Sequence, residues 1–201
     1  VNWMLVLSAG TDAVAVYTAG WRVVIFAIIP IAAIGTSVVS VAGAAYGARE
    51  FVKLRVAHRF ATGLGVVIAL VISAVTYVFA HPIAWIFTYS PESAHLAPQI
   101  AAFLAVMCFF FPFVPPGIVS GSVFQGTGRG INSLIVNLFR NLVFIAVFAY
   151  VLGIALDLGE VGIWWGIVIG DVLGGLFGYA WARFFVERLI RLHATASAER
   201  E

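Results

Sequence analysis

The chain has one cysteine, Cys108, which excludes an internal disulfide and a cysteine-built metal site. Its four histidines are scattered. His81 and His95 share one connection but lack the spacing of metal ligands, while His58 and His193 stand among basic residues. Neither G-x-S-x-G nor H-E-x-x-H occurs, so the common hydrolase and metalloprotease signatures are missing. Charge is scarcer still. Asp, Glu, Lys and Arg make up 10% of the 201 residues, against about 25% in a soluble domain. An ordinary soluble globular domain is excluded, and nothing implies a nucleic-acid partner.

Apolar residues fill the space. Hydrophobic side chains reach 63% and mean hydropathy is +1.07. Val23–Gly47, Phe60–Ala80 and Leu96–Gly128 carry no charge at all. Crossing a bilayer takes roughly 20 mainly apolar residues, and these runs are continuous rather than alternating, which favours helices over barrel strands. The fold class is therefore an all-α polytopic membrane protein with five full spans, at about 13–46, 54–80, 96–120, 132–154 and 161–186. Val1–Ser8 reads as the end of a further span, joined to the first by a connection at Ser8–Asp12. With no initiator methionine, basic n-region or cleavage site, that stretch is read as a fragment beginning inside a helix rather than a signal peptide.

The basic residues orient the spans. Arg49, Lys53, Arg55 and Arg59 lie between spans one and two, Arg129 between three and four, and Arg183, Arg188, Arg191 and Arg200 at or after the end of span five. The alternate connections hold no Lys or Arg, only Asp12, Glu92, Asp157 and Glu160. Such alternation predicts cytoplasmic 47–59, 121–131 and 183–201 segments in a plasma membrane. It divides the chain into a transmembrane lobe, 1–191, and a cytoplasmic tail, 192–201. "REFVKLRVAHR" (Arg49–Arg59) interleaves basic and apolar residues as a helix lying on the anionic inner leaflet does.

"FQGTGRG" (Phe124–Gly130) looks at first like a phosphate loop. It fits neither G-x-x-x-x-G-K-[ST] nor G-x-G-x-x-G, and no strand precedes it. It reads as the cytoplasmic turn between spans three and four, with Gln125, Gly126 and Gly128 allowing the reversal and Arg129 anchoring the inner face.

That turn also carries a resemblance. "FQGTGRGINSLIVNLFRNLVFIAVFAYVLG" followed by "GEVGIWWGIVIGD" resembles the C-terminal lobe of the multidrug and toxic compound extrusion (MATE) family, with its Q-G-x-G turn, an arginine about a dozen residues on, and a G-[IV]-W opening of the last core helix. "AGTDAVAVYTAGWRVVIFAIIPIAAIGTSVVSVAGAAYGARE" is similar to the family's eighth helix. The N-x-x-x-D that usually follows the corresponding turn in the N-terminal lobe is replaced here by Asn137 and Arg140. The resemblance implies a twelve-helix transporter of two six-helix lobes, of which helices eight to twelve and the tail of seven are present. It further implies export of small cationic amphipathic substrates driven by H+ or Na+, no other cofactor, and an N-terminal lobe of the same polypeptide as partner. Span three, the counterpart of the tenth helix, holds no Asp or Glu, which speaks against a coupling-ion site of that kind in this lobe.

Ionisable groups inside spans are costly and mark functional candidates. Three qualify, Arg22, Arg140 and Asp171. Arg140 and Asp171 lie roughly 12 and 15 Å deep from opposite faces, hence at one level of a core about 30 Å thick, and Arg22 also approaches mid-depth. They suggest a buried charge cluster, either a structural pair or a titrating acid. Pro112, Pro115 and Pro116 in "FFFPFVPPG" predict broken backbone of the kind that lines transporter sites, and Pro30 a kink in span one. With Phe110 in an aromatic run beside Met107, and with Tyr17 and Asn137, these prolines are the substrate-cavity candidates. Gly162, Gly166, Gly170, Gly174 and Gly178, four residues apart, form one stripe that admits close helix packing or sliding. Trp164 and Trp165 fall where an aromatic belt forms.

Three functions follow as expectations. The first is a secondary antiporter for organic cations. The second is a lipid-linked oligosaccharide flippase of the same superfamily, whose anionic headgroup Arg22 and Arg140 would suit. The third is an integral membrane enzyme, for which only Asp171 and the histidines speak.

Overall fold

The computed structural model describes residues 2–89 and 93–198. They form helices α1 (Asn2–Gly47), α2 (Phe51–Val78), α3 (Ala80–Phe87), α4 (Ala97–Met107), α5 (Val114–Gly126), α6 (Gly130–Leu138), α7 (Ile145–Tyr150) and α8 (Gly159–Ala198), with no strand among the described residues. Five stretches are long and apolar enough to cross a membrane: Asp12–Gly47, Phe51–Val78, Ala94–Gly126, Gly130–Ala155 and Gly159–Thr195. Phe26, Phe60, Trp85 and Phe184 stand well exposed on the outside of the bundle. Such a surface fits hydrocarbon as its solvent.

Two boundaries differ from expectation. No connection separates a first partial span at Ser8–Asp12, because α1 is helical from Asn2 through to Gly47. "AGTDAVAV" contains no proline to break the helix, and its one glycine, Gly10, costs only about 1 kcal/mol relative to alanine. Asp12 nevertheless marks an end of the bundle, since its carboxylate lies 3.6 Å from His95. Nor does Arg49–Arg59 lie flat as a surface helix. The chain reverses at Arg49, in the left-handed region at φ 60, and Phe51 already opens α2. That places His58 inside the bundle, 2% exposed. At the other end of the chain, α8 stays helical past position 192 to Ala198, the last described residue.

The third span is broken as its prolines predict. α4 ends at Met107, a short 3-10 turn spans Phe111–Phe113, and α5 restarts at Val114. Pro112 lacks the N–H that would bond the Cys108 carbonyl. Ser73 of α2 replaces it, its Oγ donating to that carbonyl at 2.9 Å. α1, by contrast, is helical on both sides of Pro30.

The fourth span holds a feature that periodicity did not show. Between α6 and α7 the segment Phe139–Phe144 is π-helical, as is Val151–Ala155 after α7. This span packs antiparallel against α8, and the glycine stripe is the contact. A Cβ at Gly162, Gly166, Gly170, Gly174 or Gly178 would strike Leu152, Ala149, Ile145, Arg140 or Val136 respectively, the middle three at backbone atoms as near as 2.7 Å or less. Successive partners are three, four, five and four residues apart. The five-residue step lies across the π turn. Counted down from Ile145, a regular helix would present Asn141 to the stripe; the wide turn presents Arg140 instead, and Asn141 is exposed.

Candidate functional site

Arg140 emerges from that π turn into the space between spans three, four and five. Its guanidinium lies over Gly117 of α5, where a Cβ would collide with Nη1, and its aliphatic stem lies over Gly174 of α8, 2.5 Å from a would-be Cβ. The two glycines are what admit a side chain of this size. Nη1 donates to the Val114 carbonyl at 3.2 Å, and Nε lies 3.4 Å from Asp171 Oδ1. The aspartate is fully buried and the arginine 8% exposed. Neither carboxylate oxygen receives a hydrogen bond within the described residues, nor does Arg140 Nε make one. This contact ion pair thus ties three spans together beside the proline break, and α8 approaches the break directly, Gly175 sitting against the Phe113 carbonyl.

Arg22 is not part of this cluster. It is exposed on α1, and among the described residues no acid pairs with it. The expected cluster of three is a pair, because the 3.6-residue turn aims Arg22 away from the packed face that buries Gly20 and Val24.

The cavity candidates also disperse. Phe110 is 4% exposed, and Phe111 and Met107 are wholly buried, so these three are interior packing, while Phe109 of the same run is 58% exposed. Pro115 and Pro116 are buried as well, Pro115 seated against Gly65 of α2. Pro112 is half-buried. Tyr17 stacks on Trp21 at 5.4 Å and meets the edge of Phe103 at 5.9 Å. Asn137, half-buried, spends one amide hydrogen on the Ser133 carbonyl a turn back, at 2.9 Å. Trp164 does not join a belt with its neighbour. It is 2% exposed and packs edge-on to Phe103 at 5.4 Å, whereas Trp165 faces outward beside Phe109.

At the turn, Gly128 has φ 73, a conformation in which only glycine is unstrained. Gly126 acts otherwise: a Cβ there would strike the Val39 carbonyl and Ala42, so this glycine lets α1 and α5 cross in backbone contact. Gln125 Nε2 donates to Ser133 Oγ at 3.1 Å, bracing α5 on α6. The Arg129 guanidinium lies 4.5 Å above the Phe185 ring.

Sequence reasoning passed over one buried polar junction. His58 Nε2 lies 3.2 Å from Ser120 Oγ. Ser120 itself donates to the Pro116 carbonyl at 2.6 Å, and the His58 ring stacks on Tyr179 at 4.9 Å. Spans two, three and five meet here. The only signal in the sequence was a histidine one turn from Leu54 and Ala61 on what proves to be the inner face of α2. Among the described residues no group of three or more His, Cys, Asp and Glu is placed to hold a metal ion.

Similarity to known proteins agrees with this architecture. The MatE family model matches residues 1–151. A crystal structure of a MATE protein in complex with MaL6 superposes with a TM-score of 0.92 at 34% identity, over 94% of this chain and 42% of that one. An outward-facing structure of a multidrug resistance MATE transporter of the MOP superfamily gives 0.91 at 35% identity, with the same two coverages. A MOP superfamily transporter from Pyrococcus furiosus, described as having a binding pocket of reverse polarity that suggests a different function, gives 0.90 at 35%, again over 94% and 42%. A search of curated proteins finds no significant match. The chain spans about 42% of the length of the structures it matches. MATE members are transporters, and the reading as a membrane enzyme is set aside. By the extent of the family match and the identity to these structures, the chain belongs to the MATE family of membrane transporters.

Proposed function

We propose that the protein is a secondary active antiporter that exports cationic, amphipathic compounds against an inward gradient of H+ or Na+. In this reading residues 1–191 are the C-terminal lobe of a two-lobe transporter in the plasma membrane, with a cytoplasmic tail from 192. The observation that carries it is the backbone match over 94% of the chain to an inward-facing and to an outward-facing structure of a multidrug resistance MATE transporter, with a TM-score of 0.91 to each. Equal superposition on both supports a lobe that rocks as a unit during alternating access. The Arg140–Asp171 pair then works as an internal tie that keeps spans three to five together while the lobe rocks.

One observation favours a second reading. Arg22 is exposed on α1, inside the Asp12–Gly47 span, with no acid paired to it among the described residues, and such a cation suits an anionic substrate, as in a flippase for lipid-linked oligosaccharides. Arg140, engaged by Asp171, is not available for that role.

Cells expressing the intact transporter and loaded with a cationic dye are expected to expel it faster under an imposed inward proton or sodium gradient, and collapse of that gradient is expected to stop efflux. No gradient-dependent efflux, together with restored export of lipid-linked sugar in a flippase-deficient strain, would replace the first reading with the second.

A further inference from the structure

Where α8 leaves the bundle at its basic end, Tyr179, Ala180, Arg183, Phe184, Glu187 and Arg191 line a groove of about 460 Å³. We infer that this groove, beside the seam between α8 and α2, binds the headgroup of an anionic phospholipid. Charge complementarity argues for it. Glu187 is the one acid lining the groove among the described residues, and its carboxylate is answered from across the seam by Arg55 of α2, 3.6 Å away. Arg183 and Arg191 are left without an acidic partner among the described residues. They stand two turns apart, a rise of about 12 Å, so their long side chains can close on one headgroup from both sides. Guanidinium is the cation best shaped for a phosphate diester, offering paired N–H donors.

The shape of the groove favours a lipid over a free anion. Its wall is aromatic, with Phe184 69% exposed beside Arg183, and exposed Leu176 lies two turns back from Arg183 on the same side of α8. An acyl chain can follow that path from a phosphate held at the arginines, whereas inorganic phosphate gains nothing from it. At the opposite end of the bundle, among the described residues, the charged contact is an acid facing a histidine, Asp12 and His95. Basic sites between spans on the inner side are also where anionic headgroups concentrate. The groove lies outside the buried ion pair, so the inference does not depend on the transport reading.

Native mass spectrometry of the purified protein in detergent micelles tests it, with dioctanoyl phosphatidylglycerol, dioctanoyl phosphatidylcholine and inorganic phosphate as probes. The anionic lipid is expected to be retained in preference to the zwitterionic one. Arg183→Ala and Arg191→Ala are each expected to lower that retention about fivefold. Arg183→Lys with Arg191→Lys keeps the charge and is expected to retain most of the binding, which guards against a fold defect in the alanine variants. Equal retention of the two lipids, unchanged binding in the double alanine variant, or competition by inorganic phosphate at the lipid's own concentration would each overturn it.

Discussion

Asp171 is fully buried and Arg140 nearly so, and removing either charge leaves the other without compensation. Breaking a buried pair from one side costs about 3–5 kcal/mol, whereas replacing both partners with neutral groups is often tolerated. Asp171→Asn alone is expected to lower the melting temperature and yield of the detergent-purified protein, and Arg140→Gln added to it to recover part of the loss. Fluorescence-detected size-exclusion melting of the two single variants and the double reads the coupling; two single variants as stable as the parent would dismiss the pair as a structural tie. Position 140 also shows what a sequence conceals at this scale. Depth along a helix follows from counting residues, and it brought Arg140 and Asp171 to one level. Direction around the axis does not, because the count restarts at an unforeseen π turn. The same arithmetic that found the pair therefore wrongly recruited Arg22, which shares the depth but points elsewhere.

The same limit recurs among the elements. The five spans were legible because hydrocarbon selects for composition, and composition needs no partner to be read. The glycine stripe was legible as a stripe, and its partner is the fourth span, in close backbone contact. What each glycine does was not legible, because that depends on the atom opposite. A graded series makes the distinction testable. Gly63→Ala meets nothing within 4 Å and lies inside α2, so it is expected to stabilise the protein by about 0.5–1 kcal/mol. Gly128→Ala has the same open space but a φ of 73, and is expected to cost about 1–2 kcal/mol. Gly166→Ala would press on the Ala149 backbone, which has no flexible end to yield, and is expected to be the most damaging of the three. An equal effect of all three on thermal melting would mean that the α8 stripe does not hold the helices together.

For the molecule as a whole the arrangement of charge decides the orientation. The elements joined by basic connections meet at one end. Phe51 touches His193 there at 5.4 Å, Arg55 reaches Glu187 and Arg129 covers Phe185, while Asp12 and His95 mark the other end. Lys and Arg near span ends are retained on the cytoplasmic side during insertion, so the basic end is expected to face the cytoplasm. Cys108 is the only native thiol, so Cys108→Ser supplies a clean background, the hydroxyl keeping the bond that the thiol makes to the Leu104 carbonyl. In that background Leu158→Cys, at the exposed connection before α8, and Arg188→Cys, toward its far end, are separated by about 30 residues of α8, roughly 45 Å of helix and enough to cross the hydrocarbon core. A membrane-impermeant maleimide added to intact cells is expected to label position 158 and spare 188 until the membrane is opened. If it labels both, α8 does not cross. If it labels 188 alone, the lobe lies the other way up, and the arginine groove would face outward, away from the anionic leaflet.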